Sequence, residues 1–285
     1  MLKKASKIMT VMMLLGILTA GLVGCGGSKT EGGDNGASEE KTTITVAGST
    51  SVQPVAQELA DAFMETHQNI TINVQGGGSG VGIESASNGA ADIGTSSREL
   101  KPEEKPLKEF AIAKDGIAIV VNPQNSLTDI SKDQLQKIYA GEITNWKDIN
   151  GKDAPIAVIT REESSGTRGA FQELVMGKDA QGNEIPIVNS AIVQNGTGAV
   201  KQGVATNANA IGFISLGAID DTVKAVSIDQ VKPSKETVLA GTYKLQRPFL
   251  FLTKEEPTGA VKEFIDFVLS PEGQNIVGKE FIAVK

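Results

Sequence analysis

The sequence predicts an α/β fold, and three stretches of one design predict it. Each is a strand pattern that runs into a loop of hydroxyl residues or glycines, and then into a helical pattern. In the first, Ile44-Thr45-Val46-Ala47-Gly48-Ser49-Thr50-Ser51 leads to a helix with Val52, Val55, Ala56, Leu59 and Phe63 on one face and Pro54 in its first turn. In the second, Ile70-Thr71-Ile72-Asn73-Val74-Gln75 alternates as a strand and ends in Gly76-Gly77-Gly78-Ser79-Gly80, with a short helix to about Gly89. In the third, the apolar run Ile156-Ala157-Val158-Ile159 enters Thr160-Arg161-Glu162-Glu163-Ser164-Ser165-Gly166-Thr167-Arg168. Residues 169–176 then form a helix with Ala170, Phe171, Leu174 and Val175 on one face.

The chemistry of these loops is that of an anion site. A helix start presents unpaired backbone N–H groups and the positive end of the helix dipole. Ser165 and Thr167 add hydroxyl donors, and Gly166 lets backbone approach a ligand closely. Arg161 offers a planar fork of donors that fits a tetrahedral oxyanion. If the three helix starts converge, they form a cage of neutral donors around one arginine, suited to a small dianion in a dry pocket. Taken alone, the third loop reads equally as a helix cap at Ser164 or Ser165 beside a surface arginine.

From the N-terminus, residues 1–25 read as a targeting segment. Lys3, Lys4 and Lys7 give it a positive start, and residues 8–18 are apolar but too short for a membrane span. It ends in Leu22-Val23-Gly24-Cys25, and Cys25 is the only cysteine, so no disulfide forms within the chain. Residues 26–41 lack apolar periodicity and read as a flexible tether. The remaining stretch, roughly 244 residues, is long enough for a large core in one domain or two lobes. Without the three lysines of the targeting segment the formal charge goes from −7 to −10. That balance argues against nucleic acid or an anionic membrane face as partner, and an anion site here works by local geometry against the overall field.

The later elements follow the same alternation. Ala91-Asp92-Ile93-Gly94-Thr95-Ser96-Ser97-Arg98 is a short strand ending in hydroxyls, and residues 101–108 are surface. Residues 112–121 form a long strand interrupted at Asp115-Gly116 and ended by Asn122-Pro123. Ser131 caps a helix carrying Leu135, Ile138 and Tyr139, and Trp146 is core packing. Asn195-Gly196-Thr197-Gly198 starts a helix to about Ala205. Residues 211–216, 224–228 and 247–252 are strands. A late helix carries Val261, Phe264, Ile265 and Val268, and Ser270-Pro271-Glu272 caps the last one.

Several of these stretches, in this order and spacing, carry a resemblance. They are Ala47-Gly48-Ser49-Thr50, the 76–80 glycine loop, Ala91-Asp92-Ile93-Gly94, Ile138-Tyr139-Ala140-Gly141 with Trp146, Arg161 with Ser165-Gly166-Thr167, Gly212-Phe213-Ile214 and Ser270-Pro271-Glu272-Gly273. Over residues 42–285 the chain resembles the phosphate-binding protein of bacterial phosphate ABC importers, the PstS family. The resemblance implies a two-lobe periplasmic-binding-protein fold of type 2, with the ligand cleft between lobes. Residues 42–114 and 246–285 would form lobe I and residues 115–245 lobe II. It implies that Thr50, Ser51 and Ser79 bind phosphate from one lobe, and Arg161, Ser165, Gly166 and Thr167 from the other, with Glu163 orienting the arginine. It implies ABC permease subunits as membrane partners, and no cofactor. Cys25 is similar to a lipobox cysteine, which would be lipidated and would anchor the protein on the extracytoplasmic face of the cell membrane.

One position departs from the family pattern. Many members have an aspartate where this chain has Ser97, and a carboxylate there accepts the proton of phosphate and repels sulfate. A serine also accepts a hydrogen bond but carries no charge. Sulfate, molybdate or arsenate is therefore an alternative ligand, and a surface sensor or adhesin on the same fold is an alternative role. An enzyme fits poorly. His67 is the only histidine and reads as a solvated residue at a helix end, so a Ser-His-Asp triad lacks a base. One histidine and one cysteine do not make a metal site, and the glycine loop lacks the register of a P-loop or dinucleotide motif.

Overall fold

Strands β1 (Thr42–Gly48), β2 (Ile70–Gly76) and β3 (Ile93–Ser96) are the parallel start of the chain, with β1 between the other two. They alternate with α1 (Gln53–Thr66) and α2 (Ser79–Asn88) as the pattern predicts. The structure, a computed structural model, describes residues 41–284. The targeting segment, Cys25 and all but the last residue of the tether lie outside the described residues.

The next strand decides the architecture. β4 (Lys108–Val121) is one continuous strand, not the interrupted strand that Asp115-Gly116 suggests. Its first part pairs antiparallel with β10 (Gln246–Thr253), and its last five residues pair with β8 (Ala210–Ser215). The ladder survives the charge because Asp115 lies opposite Arg247 and is paired with it. Beyond β8 follow β6 (Ala157–Arg161) and β7 (Ile192–Gln194), both parallel to their neighbours, and the order along the sheet is β2-β1-β3-β10-β4-β8-β6-β7. β5 (Asp129–Ile130) and β9 (Lys224–Ile228) join at its side. The short β5 and β7 carry no periodic pattern of their own, and only their neighbours' ladders define them.

Helices cover the sheet. They are α3 (Lys132–Ala140), α4 (Gly166–Phe171), α5 (Thr197–Thr206), α6 (Lys235–Leu239), α7 (Gly259–Val268) and α8 (Pro271–Val277). Ser131 caps α3 in a reciprocal box with Gln134, and Ser270 caps α8, both as predicted. After α4 the chain makes a π turn over Gln172–Met176. The wider turn rotates the apolar face, so Met176 is buried with Val175 while Leu174 is only partly covered.

The apolar core falls into separate clusters. One joins Ile44, Val46, Leu59 and Phe63 to Phe249, Phe251 and Phe264. Another gathers Ile119, Tyr139, Trp146, Phe171 and Phe213, with the Phe171 and Phe213 rings stacked at 4.2 Å. A third packs Ala118 and Val120 with Ile159, Val200 and Val204. Trp146 is core, as expected, and its Nε1 donates to the Asn209 carbonyl at 3.0 Å. His67 does end α1, but it is half-buried rather than solvated, because its ring stacks on Phe63 at 3.9 Å.

Candidate functional site

The helix starts of α1, α2, α4 and α5 meet, and the loops in front of them supply the side chains. After β1, the loop places Ser49, Thr50 and Ser51 at the start of α1, with Ser49 and Ser51 buried. After β2, Gly77 and Gly78 have φ of +154° and +97°, a backbone that side-chain-bearing residues rarely adopt. That turn delivers Ser79, fully buried, to the start of α2. Ser79 Oγ accepts from the Ser97 N–H at 3.0 Å, and Ser97 Oγ accepts from Ser49 Oγ at 2.9 Å.

Opposite these, β6 ends in Arg161, which is only 1 % exposed although it is an arginine. Its Nη2 donates to Thr50 Oγ1 at 3.1 Å and its Nη1 to Thr197 Oγ1 at 3.4 Å. Ser51 Oγ lies 3.0 Å from Thr167 Oγ1 and 3.1 Å from Thr197 Oγ1. Gly166 faces Ser79 and Ser97 so closely that a Cβ there would sit 2.1 Å from Ser79 Oγ and 2.7 Å from Ser97 Oγ. Thr50, Ser51, Ser79, Ser97, Arg161, Gly166 and Thr167 thus form one cluster. Ser165 is buried beside them, and its oxygen caps α4 by accepting from the Arg168 N–H at 3.2 Å, which leaves its hydrogen to donate.

Glu163 is the exception, and the expectation for it is corrected. Glu163 is exposed, while Glu162 grips Arg161 with both oxygens, accepting from Nη2 at 2.7 Å and Nε at 2.8 Å. The turn that begins at Glu162, closed by Ser165 N–H to the Glu162 carbonyl at 3.1 Å, carries Glu162 back over the guanidinium and leaves Glu163 at its outer corner. Burial pushes the Glu162 carboxyl up, and the Arg161 side chain more than reverses that push, so Glu162 sits below its ordinary value. Its ionised form therefore stabilises the fold above the unfolded-chain pKa of about 4.3, and that contribution is lost as pH falls through the lower folded value. Melting temperature measured against pH should accordingly lose part of its acid fall in Glu162→Gln.

Besides Glu162, sequence reasoning missed four residues here. Ser49 lay in plain view inside the first hydroxyl loop. Thr197 follows a glycine at a helix start, the same pattern that marked Ser79. Arg247 and Asp115 are opposite charges within strands, and both are buried. Arg98, left open by the sequence, turns away to hold Glu104 at 2.7 and 2.9 Å. Among the described residues no cluster of His, Cys, Asp or Glu could hold a metal, and no helix is long and apolar enough to cross a membrane.

Converging helix starts, two buried arginines and many hydroxyls define an oxyanion receptor. A family model for the PBP superfamily domain matches residues 35–272. The phosphate-binding protein PstS of Bacillus subtilis is 35% identical over 286 residues, covering 97% of this chain and 92% of the relative. A substrate-binding protein from Clostridium perfringens, assigned to phosphate ABC transport and solved with bound phosphate, superposes with a TM-score of 0.81. It is 45% identical and covers 86% of this chain and 100% of its own. An ABC-type phosphate transport receptor from Vibrio cholerae gives a TM-score of 0.71 at 38% identity, over 85% of this chain and 100% of its own. The chain belongs to the PBP superfamily and, within it, to the PstS family of phosphate-binding proteins.

Proposed function

We propose that this protein captures inorganic phosphate outside the cytoplasm and delivers it to the permease of a phosphate ABC importer. It does so by closing residues 42–114 and 246–285, as one lobe, onto residues 115–245, as the other. The observation that carries this reading is the direct meeting of Arg161 with Thr50, and of Gly166 with Ser79 and Ser97, inside a buried cluster. Thr50, Ser51, Ser79 and Ser97 supply one wall of the phosphate site. Arg161, Ser165, Gly166 and Thr167 supply the other, and Glu162 orients the arginine. A dianion that bonds both walls stabilises the closed form by its differential contacts.

The test is calorimetric titration of residues 42–285, stripped of ligand by mild unfolding, with phosphate and then sulfate at pH 7.5. Phosphate binding without sulfate heat is expected. A second reading, another oxyanion, is favoured by one observation. Ser97 carries no charge, and the carboxylates beside the cluster, half-buried Glu162 and buried Asp115, are held by Arg161 and Arg247. Comparable sulfate binding would replace phosphate with that wider class.

The same proposal includes attachment through a lipid on Cys25. Each buried CH₂ contributes about 0.8 kcal/mol, so two or more acyl chains hold the protein stably at a membrane. Cys25→Ser should abolish labelling by radioactive palmitate and release the protein from the membrane fraction. Continued membrane attachment in that variant would dismiss the lipid.

A further inference from the structure

Arg247 on β10 stands across the ladder from Asp115 on β4. Asp115 Oδ2 accepts from Arg247 Nε at 3.0 Å and from Nη2 at 2.9 Å, while Oδ1 accepts from the Leu216 N–H at 3.2 Å. The two side chains are 1 % and 0 % exposed. Burial pushes the Asp115 carboxyl up, and Arg247 opposes that push. A pair buried this deeply adds little stability over apolar residues of the same volume, so its geometry invites a second role.

The nitrogen that Asp115 leaves free supplies that role. Arg247 Nη1 donates to Thr167 Oγ1 at 2.7 Å and to the Ser97 carbonyl at 3.2 Å. Ser97 and Thr167 stand on opposite walls of the proposed phosphate site, and Arg247 bonds both. A guanidinium only donates, so the Thr167 oxygen must accept, and its hydrogen is left to be passed on. The receiver in this structure is within reach at Ser51 Oγ, 3.0 Å away, beside the donors of Arg161 and Thr197.

We infer that Arg247, held by Asp115, is a positioning residue of the anion site: it commits the Thr167 hydroxyl to donate to the bound oxyanion and ties the two walls in the closed form. This inference rests on the phosphate reading above. The Phe249 ring, 5.4 Å from the guanidinium carbon, helps fix the plane of the fork. Asp115 acts one step further back, by holding Nε and Nη2 so that Nη1 is the end that faces Thr167.

A cycle of variants tests it. The parent, Thr167→Val, the neutral-pair variant Asp115→Asn/Arg247→Gln, and the combination of all three substitutions are titrated with inorganic phosphate, and each is melted without phosphate. Thr167→Val and the neutral pair should each weaken phosphate by about tenfold. The combination should lose little more than the worse of the two, because an absent hydroxyl cannot be positioned. Losses that multiply, or parental affinity in the neutral pair, would overturn the role of Arg247. Should the neutral pair fail to melt cooperatively, Arg247→Lys takes its place. The ammonium keeps the charge beside Asp115 but not the fork, and the same two outcomes decide. A parent that does not bind phosphate overturns the phosphate reading and this inference with it. A parent that binds, with multiplying losses, overturns this inference alone.

Discussion

Replacing Arg161 by alanine is expected to weaken phosphate binding by about 30- to 5,000-fold, the range for truncating one partner of a buried, hydrogen-bonded charge pair at 2–5 kcal/mol. Two terms add. The variant loses the charged donors that reach Thr50 and Thr197 across the cluster. It also frees the Glu162 carboxylate, 19 % exposed and gripped by nothing else of its strength, to repel the incoming dianion. Calorimetric titration reads the change directly. Affinity within a factor of a few of the parent would remove Arg161 from the site. The companion Glu162→Ala separates the two terms. It should bind more weakly than the parent because the guanidinium is no longer held in plane, yet better than Arg161→Ala because the positive charge remains.

Gly166→Ala is the second large effect, and it works through shape alone. No charge changes, and Gly166 does not have the positive φ that would strain an alanine. The added methyl meets Ser79 Oγ at 2.1 Å and Ser79 Cβ at 2.8 Å, and Ser79 has no space to retreat because it is fully buried. The two walls must part by several tenths of an ångström or more. Overpacking of this kind costs about 1–3 kcal/mol, equivalent to roughly 5- to 150-fold in affinity for a ligand that requires closure. Melting without phosphate should change little, since neither wall's own core is touched. A lowered melting point with unchanged affinity would show that the contact belongs to the fold and not to closure.

Much of this site was legible in the sequence because its parts are local. A strand, a short loop of small residues and a helix start fall within ten residues of one another, and helical or alternating patterns mark their ends. Thr50, Ser79 and Thr167 could be named on that basis. What the sequence does not contain is the distance between loops. Thr197 sits in a loop of the same make-up, yet only the meeting of α1 with α5 places its hydroxyl 3.1 Å from Ser51. Arg247 and Asp115 lie 132 positions apart, and nothing local says that they face each other. The Glu162–Glu163 reversal has a different cause. Two adjacent carboxylates are equivalent in composition, and the direction of one turn decides which of them covers the arginine. In the same way, the interruption expected at Asp115-Gly116 follows from reading a charge and a glycine as strand breakers, when a partner across the ladder supplies what water otherwise would.

The position of β10 has a consequence for how the chain reaches its fold. β10 lies between β3 and β4, although about half of the chain separates it from β3. The Ile44 and Phe63 core cannot close before Phe249, Phe251 and Phe264 arrive. The earliest segments to emerge during synthesis therefore lack their last strand and last helices until the C-terminal residues are free. Such high contact order makes folding slow. The anion cage is completed late as well, because Arg247 on β10 reaches Thr167 and the Ser97 carbonyl only once that strand is in place.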